Sequence, residues 1–156
     1  MKKLNLLSLL FAGIIAFSGC NKVDEDESLI FNLHRYSGWF GLDENLKINA
    51  TVTHYSVNYK EFVIWEPKSY STTLQTPKEQ WDYLVKTFDL KTFKKIKDGQ
   101  CRTCVDGFDV TFTVIIKGIT YSFYNGEDEY YKQMQHFFDA ILEQANILYE
   151  NHKQNL

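Results

Sequence analysis

The sequence predicts an α+β domain, with an antiparallel sheet of four or five strands and two helices packed on one face, in the order strands, helix, hairpin, helix. Three observations carry that expectation. From Ser28 onward apolar residues alternate two apart, as they do again from Val110 to Phe123; a helix-start pattern opens at Thr76-Pro77; and the stretch from about Glu127 to Glu150 repeats its apolar residues at spacings of three and four. With 156 residues, 44% of them apolar and 24% charged, the chain has the composition of one folded domain, which excludes disordered, collagen-like and coiled-coil classes.

Leu29, Phe31 and Leu33 alternate with Ile30, Asn32 and His34, the repeat of a pleated strand. Two glycines mark Tyr36-Ser37-Gly38-Trp39-Phe40-Gly41 as a loop. Leu46 and Ile48 alternate, and the pattern resumes out of phase at Tyr55, Val57 and Tyr59, which requires a turn or a bulge between them. Asn49 tolerates the left-handed conformation of a tight turn, so a hairpin is favoured there. Phe62-Val63-Ile64-Trp65 is a further apolar run, ended by Pro67.

Thr76-Pro77-Lys78-Glu79 supplies a capping hydroxyl, a proline at the first helical position and a glutamate placed to reach back. Trp81, Leu84, Val85 and Phe88 then form one apolar face; Asp89 caps a short continuation through Phe93 and Ile96, stopped by Asp98-Gly99. Val110, Phe112, Val114 and Ile116 alternate, Lys117-Gly118 makes a turn, and Tyr121 and Phe123 return, giving a β-hairpin. Tyr131, Met134, Phe138, Ile141, Ala145 and Leu148 share one face of the last helix, with Glu127, Asp128 and Glu129 favouring the dipole of its first turn.

Ahead of the domain, Met1-Lys2-Lys3 is followed by an apolar stretch of 12 residues, Leu6 to Phe17, broken only by Ser8. That is signal-peptide anatomy, and too short for a permanent span, which needs about 20 apolar residues. The stretch ends in Phe17-Ser18-Gly19-Cys20, which resembles the lipobox of bacterial lipoproteins, with Phe17 where the family usually has Leu. The resemblance implies a signal peptide over residues 1–19, acylation of Cys20, and a membrane partner held through the N-terminal lipid. Asp24-Glu25-Asp26-Glu27 repels itself and reads as a solvated tether over residues 20–27, leaving one domain over 28–156. An acidic run so placed resembles the signal that sends Bacteroidota lipoproteins to the outer face of the outer membrane; a plain charged linker is the other reading. The layout is similar to that of small Bacteroidota surface lipoproteins, without a diagnostic motif, so it implies no activity. Loss of Lys2 and Lys3 leaves 15 basic against 20 acidic side chains, a charge of −5, which argues against nucleic acid as a partner.

Cys101-Arg102-Thr103-Cys104 is the one compact constellation. In an oxidising envelope compartment a structural disulfide is favoured over a redox pair or a metal site: the pair follows a helix and precedes a strand, the reverse of a thioredoxin-like setting, and His34, His54, His136 and His152 are scattered. No cofactor motif, phosphate loop or catalytic elbow occurs. Trp39 and Phe40 in a glycine-flanked loop, with Trp65 and Tyr70 flanking Pro67, are the candidate ligand contacts. The expectation is therefore a lipid-anchored surface protein with a non-catalytic domain that binds a protein or a glycan. The alternative is an envelope or glycan hydrolase, for which Asp106 and Asp109 are candidate acids, with His54 or His136 brought near by folding.

Overall fold

The computed structural model describes residues 29–38, 41–60, 67–105 and 107–154. Cys20, Trp39, Phe40, Trp65 and Asp106, the signal and tether segments, and the apolar run at 62–65 lie outside the described residues. Six strands, β1 (Leu29–Ser37), β2 (Leu42–Ile48), β3 (Val52–Lys60), β4 (Pro67–Gln75), β5 (Asp109–Ile116) and β6 (Ile119–Tyr124), form one antiparallel sheet in the order β4-β3-β2-β1-β5-β6. The α+β class is as expected; among the described residues the sheet has six strands where four or five were expected, and four helices stand where two were. The strand that the pattern did not announce is β4: it is an edge, and only Tyr70 and Leu74 among its inward positions are large and apolar.

Register sets Phe31 and Leu33 level with Ile48 and Leu46, then with Val114 and Phe112, and brings Tyr55 beside Leu46, so the inward residues of four strands make one buried face. Helices α1 (Lys78–Thr87), α2 (Leu90–Phe93), α3 (Glu129–Gln133) and α4 (Gln135–Gln154) cover that face. Phe31 meets Trp81, Phe88 and Phe137 at ring-centroid distances of 5.4, 5.2 and 5.0 Å, and Phe123 meets Phe93 at 5.1 Å. The aromatic richness of the sequence is largely this core.

Three local expectations need correction. Thr76 does not cap α1: its backbone N–H donates to the Thr51 carbonyl, and its buried hydroxyl lies 2.9 Å from that of Thr53, so the sheet has taken the residue. Pro77 then occupies the cap position, with no side-chain bond. Val85 is exposed, because the buried stripe of α1 is only as wide as Trp81 and Leu84. The last helix is two: Asp128 caps α3 by accepting from the Tyr131 N–H at 2.9 Å, Met134 ends it, and α4 continues to Gln154, letting Tyr131 stack on Phe138 at 4.5 Å.

The turn at Asn49 is a hairpin, made by its side chain rather than by a left-handed backbone: Oδ1 accepts from the N–H groups of Thr51 and Val52 at 2.9 and 2.7 Å. Lys117 and Gly118, both at positive φ, close the β5–β6 hairpin as expected.

Candidate functional site

The chain enters the sheet at Leu29, and at that same end lie the turns at Asn49 and Gly118. Arg35, Leu42, Tyr59 and Lys60 sit toward the other end of β1, β2 and β3. There the C-terminal half of α4 crosses, contributing Asn146, Tyr149 and Glu150, and Phe108 approaches ahead of β5; together these residues line an open cleft of about 470 Å³. Arg35 is about 20 Å along β1 from Leu29, at roughly 3.3 Å per residue.

The floor of the cleft is charged, and that charge continues into the core. Glu44, alternating with Leu42 and Leu46 on the inward face of β2, is fully buried. Its carboxylate accepts from Arg35 Nε at 2.5 Å and from the Tyr55 hydroxyl at 2.7 Å. Burial, reinforced by the bond to Glu44, pushes the Tyr55 phenol far above its ordinary value, so it serves as a donor throughout the physiological range. Arg35 Nη1 donates to Asn146 Oδ1 at 2.9 Å, which fixes the guanidinium between sheet and helix with part of it open to the cleft. Tyr59 packs edge-on to Tyr149 at 6.1 Å, and Lys153 lies over the Tyr149 ring, its ammonium 5.2 Å from the centroid. Arg35 is balanced by Glu44 behind it and Glu150 lies 3.8 Å from Lys153, while Lys60 adds a positive charge to the rim.

Beside the cleft, Cys101 and Cys104 form a disulfide with Cα atoms 5.6 Å apart. Asp109 holds its loop: the carboxylate accepts from the N–H groups of Arg102 and Thr103 at 2.7 and 3.2 Å, from the Thr103 hydroxyl at 2.5 Å and from Asn125 Nδ2 at 2.7 Å. Asn125, at positive φ, also accepts from the Val110 N–H and donates to the Gln100 carbonyl. Gly99 donates to the Tyr124 carbonyl at 2.7 Å, and a Cβ there would stand 1.9 Å from the Asn125 carbonyl oxygen. A carboxylate 3.9 Å from the Cys101 sulfur disfavours a thiolate, the opposite of what a redox-active pair requires.

Burial raises the Asp109 pKa, but bonds from Thr103, Tyr124, Asn125 and the Arg102 N–H outweigh it and hold the carboxyl well below the ordinary range. Because the folded value is the lower one, the stabilisation is present above the unfolded value of about 4 and is lost as pH falls below it. Asp109→Asn is therefore expected to lose about 2 kcal/mol at neutral pH, with a shallower acid limb, in urea unfolding followed from pH 7 down to pH 2. An Asp109 so saturated with donors is a clamp rather than a proton carrier.

The other residues singled out in the sequence are dispersed. Tyr70 is half-buried and stacked on His152 at 4.0 Å. His54, on β3, pairs with the Thr73 hydroxyl at 2.9 Å on the helix-free face, three strands from β5. His136 lines a groove between α1 and α4 with Asp139 and Glu143. Neither histidine is among the hydrogen-bond partners of Asp109. Sequence reasoning missed Arg35, Glu44, Tyr59, Asn146 and Tyr149; the one available signal was a glutamate at an inward position of an apolar alternation. No protein-family model matches the chain, and no curated protein shows significant similarity to it.

Proposed function

We propose that this is a lipid-anchored outer-surface protein, acylated at Cys20, whose domain is a non-catalytic module that binds a glycan in the cleft around Arg35 and Tyr149. The carrying observation is the position and make-up of that cleft: it lies at the end of the strands opposite Leu29, where the tether joins, so an anchored domain offers it away from the membrane. Aromatic rings beside planar polar side chains suit a polyhydroxylated ligand that lays its apolar face on a ring and its hydroxyls on Arg35, Asn146 and Glu150. The supports for the anchor are the lipobox-like Cys20 and the acidic run behind it. No helix among the described residues is long and apolar enough to cross a membrane.

Against hydrolysis stands the carboxylate chemistry. A glycosidase places two carboxyl groups about 5–10 Å apart across the scissile bond. Among the described residues, the cleft is lined by one, Glu150, while Glu44 is buried beneath Arg35. The test is a panel of cell-wall and plant oligosaccharides, scored for both binding and cleavage. Binding without cleavage, weakened at least tenfold by Asn146→Ala or Phe108→Ala, is expected; cleavage abolished by Glu150→Gln would make the protein an enzyme. Cys20→Ala is expected to move the protein from the membrane to the soluble fraction, and retention in the membrane would defeat the anchor.

A further inference from the structure

The two edges of the sheet, β4 and β6, are finished differently. On β6 the outward N–H of Tyr124 donates to Asp98 Oδ1 at 2.8 Å, its carbonyl accepts from Gly99, and Lys94 lies beside Thr120 and Ser122. A covered edge with a lysine along it resists a further strand. β4 has Pro67 and Lys68 at its start, but among the described residues neither device recurs from Ser69 to Gln75. The bond from the Thr76 N–H to the Thr51 carbonyl sets the phase of its pairing with β3. In that phase Lys68, Tyr70, Thr72 and Leu74 turn their backbone groups toward β3, and Ser69, Ser71, Thr73 and Gln75 turn theirs outward. From Ser69 to Gln75 there is no charge and no proline, the pairing with β3 runs without a bulge, and Leu74 is 45% exposed.

We propose that this edge pairs antiparallel with the β4 edge of a second copy, about a two-fold axis through Thr72. That register sets Ser71 opposite Thr73 and Ser69 opposite Gln75, so outward-facing backbone groups meet outward-facing ones, as an antiparallel ladder requires. It also lays Leu74 opposite Tyr70 on the helix-covered side, covering the exposed leucine, and opposes no like charges. The segment is thus complementary to itself. Because β6 is covered at Tyr124, pairing closes at two copies instead of extending into a fibre.

Sedimentation velocity of the full chain in detergent tests this. The wild type is expected to sediment as a dimer. Ser71→Pro removes an N–H that β3 does not use, so it is expected to give a monomer with unchanged circular dichroism; Thr73→Lys, which places like charges across the two-fold and leaves the backbone alone, decides the matter if the proline variant misfolds. A wild type that stays monomeric at every concentration, or a dimer that survives in the folded variants, overturns the proposal.

Discussion

Glu44→Ala is expected to destabilise the domain by about 3–5 kcal/mol, read as a fall in the urea midpoint at unchanged slope. The carboxylate is fully buried and is shared by Arg35 and Tyr55, so its removal strands a guanidinium that is mostly withdrawn from water and a buried phenol without an acceptor. The size of that loss does not mean that the pair is there for stability. Replacing both partners, Arg35→Met with Glu44→Leu, removes the desolvated charges together and is expected to recover most of the loss. Under the cleft reading the double variant folds yet binds no glycan, because Arg35 is the donor on the cleft floor. A double variant as unstable as Glu44→Ala would instead make the ion pair a structural element in its own right.

Phe138→Ala is expected to cost a similar 3–5 kcal/mol, a large share of the 5–15 kcal/mol available to a domain of this size. Phe138 is fully buried and joins α4 to both α3 and the sheet: its ring stacks on Tyr131 at 4.5 Å and meets Phe112 at 4.6 Å and Phe123 at 5.3 Å. Truncation leaves a cavity ringed by aromatics too large to collapse into it. A drop in Tm of more than about 10 °C is expected, with Phe138→Leu falling between. Since α4 carries Asn146 and Tyr149 into the cleft, glycan affinity is expected to survive at low temperature in the folded fraction.

Much of the fold was legible because the buried face of a sheet and the stripe of a helix impose their periods on the sequence: β1 and the β5–β6 hairpin follow the two-residue alternation, and the inward positions of α4 follow spacings of three and four. β4 was not legible, since an edge strand needs one paired neighbour and little burial, and Ser71-Thr72-Thr73 offers no apolar alternation. Thr76-Pro77 failed as a capping signal because a tertiary contact with Thr53 outcompeted the local bond. The Cys101–Cys104 disulfide was readable from spacing and the compartment expected of the chain, whereas its clamp was not: Asp109 and Asn125 are 16 residues apart and meet only through the β5–β6 register. The cleft was hidden for the same reason. Arg35 and Asn146 are 111 residues apart, and Glu44 offers only its phase with Leu42 and Leu46 as a signal.

The most direct test of the glycan cleft is an amide-resonance titration of the domain with the oligosaccharide that binds best in the panel. Shifts confined to Arg35, Leu42, Tyr59, Lys60, Asn146 and Tyr149, and absent from Asn146→Ala, are the expected result. Shifts centred on the α1–α4 groove at Tyr83 and Ile147, or none at saturating oligosaccharide, would contradict it.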